Sequence, residues 1–233
     1  MIKNFNLLLN ILHKRIISFN KKYYSFSGVD IAINNIFRNT NNGYYLDIGC
    51  QHPINNNNTF LLHKKGWSGV NIDLDQKNID LFNLQRPKDK NICACLSSKI
   101  SVKNLYFFHS GSPINSLEKE TTKNKNNFIT KKVKTTTLNS VLSNFEINEI
   151  DYLNLDVEGH ENDILQGFDI NRYKPKVISV EYLDFKMEKM EFKNNNLHNV
   201  LKSNIYNFLI ENGYYFINWT HADLIFVHKS FRD

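Results

Sequence analysis

From residue 44 onward, short apolar runs alternate with stretches whose apolar residues recur at helical spacing. Residues 44–48, 67–73, 91–96, 150–156 and 176–181 are apolar or β-branched over lengths that suit strands. Between them the spacing predicts helices over 60–65, 74–86, 138–144 and 162–166. Asn58-Thr59 is placed to cap the first of these and Gly66 to stop it, Pro87 ends the second, and Gly167 stops the last. Strand and helix in alternation with short connections predict an α/β fold with a mostly parallel, doubly wound sheet. A helix over 200–212 precedes two closely spaced strands, 214–219 and 224–228. Their short connection requires an antiparallel hairpin closing the sheet.

Two regions depart from this rhythm. Residues 102–109 have strand character, 110–132 are polar and lysine-rich, and 133–136 begin a further short strand. The 110–132 stretch of this excursion and the loop at 184–196 are the expected substrate walls, because long loops in compact domains are usually functional. At the other end, residues 1–22 carry Phe5, Leu8, Leu9, Leu12, Ile16 and Phe19 at helical spacing among Lys3, Lys14, Arg15, Lys21 and Lys22. The first reading is a helix covering one face of the sheet. The second is an interfacial helix in weak contact with anionic lipid. With a further helical stretch at 29–38, this defines a lead-in over 1–42 and a main domain over 43–233.

Composition narrows the classes. A chain of 233 residues with 41% hydrophobic content suits one packed α/β domain. The net charge of +6 comes from scattered lysines with no basic block, so no nucleic-acid partner is expected. No run approaches the ~20 apolar residues of a membrane span, and no secretory signal is evident. Cys50, Cys93 and Cys95 form neither an even disulfide framework nor a zinc spacing, which points to the reducing cytoplasm.

The chemistry collects at strand ends. Asp47 and Asp73 close the first two strands, and a carboxylate on the second can accept both hydroxyls of a ribose. Gly49 would let the backbone approach a cofactor without an intervening side chain. A dinucleotide fingerprint needs further glycines, and the chain has Gln51 and Pro53 there. A phosphate-free cofactor, S-adenosylmethionine, fits better. The fourth strand runs into Asp156, Glu158, His160 and Glu161, four ionisable groups costly to bury unpaired. His160 is the first candidate base for an alcohol acceptor and Asp156 the second, with Glu158 beside them. His52 and His221 are reserves, and Glu181 points to the same edge. No metal is assigned, since no spacing of Asp156, Glu158 and Glu181 demands one.

Tyr45-Leu46-Asp47-Ile48-Gly49, His52-Pro53, Asn58-Thr59, Gly66-Trp67-x-Gly69 and Ile72-Asp73 together resemble the opening of the FkbM family of methyltransferases. Thr136-Thr137-Leu138, Leu155-Asp156-Val157-Glu158-Gly159-His160-Glu161 and Pro175-Lys176-Val177-Ile178-x-x-Glu181 continue the likeness. The resemblance implies a Rossmann-like, class I S-adenosylmethionine-dependent methyltransferase acting on hydroxyl oxygens, with a sugar or glycan precursor as acceptor. Asp47 and Gly49 would flank the methionine moiety, Asp73 would bind the ribose, and Cys93-Ala94-Cys95 would border the adenine. Asp156 would face the methyl group, and Cys50 and Leu74 complete the implied contact set. Many members have another glycine where this chain has Gln51-His52-Pro53. Three other readings compete: a nucleic-acid methyltransferase, for which an Asn/Asp-Pro-Pro-aromatic motif is missing; a non-catalytic scaffold of the same fold; and a nicotinamide-dependent oxidoreductase.

Overall fold

A computed structural model describes residues 2–123, 125–182 and 196–232. The predicted 184–196 wall therefore lies outside the described residues, apart from Asn196. Strands β1 (Tyr44–Ile48), β2 (Ser68–Asp73) and β3 (Lys90–Cys93) run parallel, with β1 between β2 and β6 (Tyr152–Leu155). Next come β7 (Val177–Glu181), β9 (Asp223–His228) and β8 (Tyr214–Thr220), giving the order β3-β2-β1-β6-β7-β9-β8. The last two strands are antiparallel, as their short connection requires, and β9 docks between β7 and β8.

Alternation along β1 divides the core. Leu46 and Ile48 join a cluster with Val141 and Leu142 of α5 (Leu138–Asn144) and Ile164 of α6 (Glu161–Gln166). Tyr45 faces the other way, against Val29 and Ile33 of α2 (Val29–Ile36), Leu62 of α3 (Phe60–Lys64) and Trp67. Apolar layers thus cover both faces of the sheet. Each fully buried Leu, Ile or Phe in them contributes about 1.5–3 kcal/mol.

Several boundaries moved for local reasons. The third strand stops at Cys93, and Leu96 makes only an isolated parallel bridge to Thr136. The excursion is built on a separate antiparallel pair, β4 (Val102–Phe107) with β5 (Ile129–Lys134). The expected 200–212 helix is two, α8 (Leu197–Leu201) and α9 (Asn204–Glu211), because the Ser203 hydroxyl donates to Val200 O and caps Tyr206 N. Thr59 does not cap α3 through its side chain, since its hydroxyl is engaged by Asp47 and Arg86. α4 (Gln76–Gln85) is capped by Asp75, which accepts from Lys77 N. Two short helices, α7 (Ile170–Tyr173) and α10 (Lys229–Arg232), were not expected.

The first helix, α1 (Ile2–Ile17), does not cover the sheet. It rests through Leu7 and Ile11 on Ile54, Phe60 and Leu81, alongside α4, while α2 fills the position against the sheet. No helix among the described residues is long and apolar enough to cross a membrane.

Candidate active site

β1 and β6 are neighbours whose onward connections lead to opposite sides of the sheet, β1 to β2 and β6 to β7. Such a switch point opens a crevice at the carboxyl ends of the strands. Here the exits are drawn tight: Asp156 N donates to Ile48 O and Gly49 N donates to Ile72 O. Gly49 has φ 77, and a Cβ built on it would lie 1.6 Å from the Asp156 carbonyl oxygen. The glycine is therefore required by the crossing of two strand exits. Close approach to a ligand was the sequence-based reason for it, and strand packing is the structural one.

The crevice is a cavity of about 740 Å³ including its solvent-open part. One wall is Gly49, Gln51 and Asp73, with Leu74, Ala94 and Cys95 beside them. Asp156, Glu158 and His160 form a second wall. The third comes from the excursion, through Ser112, Pro113, Asn115 and Leu117, so the expected substrate wall at 110–132 reaches the cavity with its first part. Two non-glycine residues in the left-handed region, Gln51 at φ 50 and Glu158 at φ 56, border it from opposite sides. Such backbone is costly and persists where the surroundings hold it. At Glu158 the following Gly159, at φ 94, continues the reversal, and Ser116 Oγ donates to Glu158 O at 2.8 Å.

Asp73 accepts from the amides of Gln51 (2.9 Å) and Asp75 (2.8 Å), and burial nevertheless lifts its carboxyl to about 6. Asp75 was missed in the sequence. It caps α4 and also accepts from Gly111 N (2.7 Å) and Ser110 Oγ (3.0 Å), anchoring the excursion to the cavity. The tripeptide Asp73-Leu74-Asp75 before a helical run was the available signal.

On the second wall, burial and then the charges of Asp223, Glu158 and Glu161 push Asp156 well above the ordinary carboxylate range. Burial raises Glu158 to about 7 against the opposing pull of Lys125. Glu161 is also raised to about 7 by burial, while it accepts from the amides of Val157 and Gly159. Glu181 is raised by burial and then by Asp156 and Glu161, and its Oε2 has no hydrogen-bond partner among the described residues. One ligand atom each from Asp156, Glu158 and Glu181 lies within 4.8 Å of the others, so these three are the described residues able to share a divalent cation.

His160 is buried, with Nδ1 2.6 Å from Glu118 Oε1 and Nε2 shared among Asp163 (2.9 Å), Ser97 (3.2 Å) and Lys103 (3.3 Å). Both ring nitrogens therefore have protein partners. Glu118 belongs to the excursion, and no sequence periodicity connects it to His160.

Four named residues lie elsewhere. Asp47 does not line the cavity: it shares the Tyr45 face of β1, and accepts from Thr59 (2.7 Å), Asn57 (3.1 Å) and Asn154 (2.9 Å). Buried Arg86 completes this network, donating to Thr59 Oγ1 (2.8 Å), Asn57 Oδ1 (2.7 Å) and Pro53 O (2.7 Å). Cys50 packs in an apolar cluster with Ile79 and Phe82. His52 accepts at Nδ1 from the amides of Ile54 and Asn55, so its Nε2 carries the proton donated to Asn10 Oδ1. Cys93 is exposed, and its thiol is directed at Leu74 O.

A family model for the methyltransferase FkbM domain matches residues 47–216. The chain belongs to the FkbM methyltransferase family. The matched span of this FkbM methyltransferase begins at the end of β1 and reaches into β8, so it contains the switch point and every wall of the cavity. No curated protein and no solved structure matches the chain.

Proposed function

We propose that this protein is an S-adenosylmethionine-dependent methyltransferase of class I fold that methylates a hydroxyl of a sugar, glycan precursor or related small metabolite. One observation carries the cofactor: Asp73, Asp75, Asp156 and Glu158 line the switch-point cavity, and no lysine or arginine is among its described lining residues. Phosphates in such a site would find no cationic side chain of Lys or Arg to balance them, whereas a sulfonium cation meets carboxyl oxygens. The fit is residue by residue. Asp73 has lone pairs left for ribose hydroxyls, Leu74, Ala94 and Cys95 offer an apolar border for a base, and the Gly49 turn with Asp156 flanks the methionine end.

S-adenosylmethionine supplies an electrophilic methyl group on sulfur. The chain's own residues supply alignment and a proton acceptor. The acceptor hydroxyl must lose its proton as the new C–O bond forms and the C–S bond breaks. Glu158, raised to about 7 and open to the cavity, suits that exchange near neutral pH. Asp156 is the alternative acceptor. His160, with both nitrogens engaged, holds Glu118 and so shapes the wall. The sugar or glycan acceptor rests on the family resemblance, and a reducing, cytoplasmic setting on three free cysteines.

Calorimetric titration of the wild-type protein with S-adenosylmethionine, S-adenosylhomocysteine and NADH tests the cofactor. Binding of the two sulfur ligands and not NADH is expected, with affinity about tenfold or more weaker in Asp73→Ala. Silence with both sulfur ligands would refute the proposal. A labelled-methyl screen against nucleotide sugars, cell-surface glycans and RNA then tests the acceptor, and label in RNA alone would overturn the hydroxyl-metabolite reading.

A further inference from the structure

The apolar residues of α1 occupy two separate arcs of its surface. At 100° per residue, Leu7 and Ile11 lie together and are buried against Ile54, Phe60 and Leu81. Phe5, Leu8, Leu9, Leu12 and Ile16 form a second stripe to one side of them and beyond, all exposed, with Ile16 at 75%. Beyond the helix Phe19 is 85% exposed. Among the described residues, nine of the twenty most exposed large apolar side chains fall within 5–26. The concentration marks a surface that water covers at a cost.

Charge identifies what covers it. Residues 1–29 contain five Lys or Arg and no Asp or Glu. Arg15 is exposed but turned to α4, its Nε donating to Gln85 Oε1, and exposed Lys21 and Lys22 follow the stripe at its C-terminal end. The first acid, Asp30, is buried and accepts from Tyr24 N and Ser25 Oγ, so it does not offset them. A second copy meeting this face with its own would set like charges together. An anionic bilayer offers hydrocarbon to the stripe and opposite charge to the rim.

We propose that the outer face of α1 docks the protein onto anionic membrane surfaces, with the stripe entering the headgroup region and Lys21 and Lys22 meeting lipid phosphates and carboxylates. The helix is a rigid mount for such contact. Its inner face is packed, and Asn10 is held by His52, directly after the cavity-lining Gln51. Docking would therefore hold the loop at one lip of the cavity close to the surface.

Sedimentation of the full chain with vesicles of phosphatidylcholine, with and without phosphatidylserine, tests this. Binding to the serine-containing vesicles alone, weakening as salt rises, is expected. The variant Leu8→Ser, Leu12→Ser, Ile16→Ser changes only exposed side chains, so its melting temperature should match wild type while vesicle binding falls about tenfold or more. Lys21→Glu with Lys22→Glu should lose binding by a similar factor. No binding of wild type to anionic vesicles overturns the proposal. So does unchanged binding in the serine variant, or a wild-type dimer in light scattering that this variant abolishes.

Discussion

Beneath the sheet, Asp47 has Thr59, Asn57 and Asn154 donating to it, and burial's upward push on its carboxyl is opposed by the nearby Arg86 charge. At the sheet edge, Asp156 is shifted by burial and by Asp223, Glu158 and Glu161, all carboxylates. The two residues are close relatives by position, since Asp47 pairs with Asn154, two residues before Asp156. Strand alternation and a glycine turn send them to different surroundings. The first is satisfied by donors and a guanidinium, so it fixes how α3, α4 and the sheet meet. The second is crowded with other acids, an arrangement that costs stability and leaves its neighbours Glu158 and Glu161 exchanging protons at about 7.

The largest effect should come from unbalancing the satisfied region. Arg86→Met leaves Asp47 buried without its counter-charge and strips Thr59 and Asn57 of a donor, so a loss of about 3–5 kcal/mol in urea unfolding is expected. A loss below about 1 kcal/mol would mean that the network does not hold the fold. Asp156→Asn should behave in the opposite way. Methyl transfer in single turnover should slow by about a hundredfold through lost alignment at the methionine end, while the melting temperature at alkaline pH stays level or rises because one of the crowded charges is gone. Destabilisation comparable to Arg86→Met would erase the contrast.

Gly49→Ala tests the hinge between the regions. Its Cβ would fall on the Asp156 carbonyl, at 1.6 Å and with φ 77, so a cost of about 2 kcal/mol or more is expected, with weakened S-adenosylmethionine binding in calorimetry. The smallest effect is a slope. Glu158 has an ordinary value of 4.5 and is held at about 7 in the fold. Between those values the folded chain keeps a proton that the unfolded chain releases, so stability falls as pH rises through that window. Glu158→Gln should flatten this part of the pH–stability curve. An unchanged curve would show that Glu158 titrates normally.

Much of the sheet was legible in the chain. Apolar runs at 44–48, 67–73, 150–156 and 176–181 contain β1, β2, β6 and β7, and the short gap after residue 219 dictated the hairpin. Local competition was harder to read. Thr59 looked like a cap and is engaged by Asp47, and Ser203 splits a continuous helical pattern in two. The candidate site followed the same divide. Asp73, Leu74, Ala94, Cys95, Asp156, Glu158 and His160 do line one cavity, whereas Asp47 and Cys50 do not. An acid at a strand end is visible in sequence, but the face it takes depends on where the strand stops.

By itself the sequence determined the strand–helix alternation, the acids at strand ends and the lack of a glycine cradle, because periodicity and turn chemistry are local. Tertiary structure alone decided which acids share a charge environment. Arg86 and Asp47 are separated by 39 positions, and Glu118 and His160 by 42. Only the packed sheet brings a guanidinium to one carboxylate and more carboxylates to the other, and the pKa of a buried acid is set by neighbours that the chain supplies from far away.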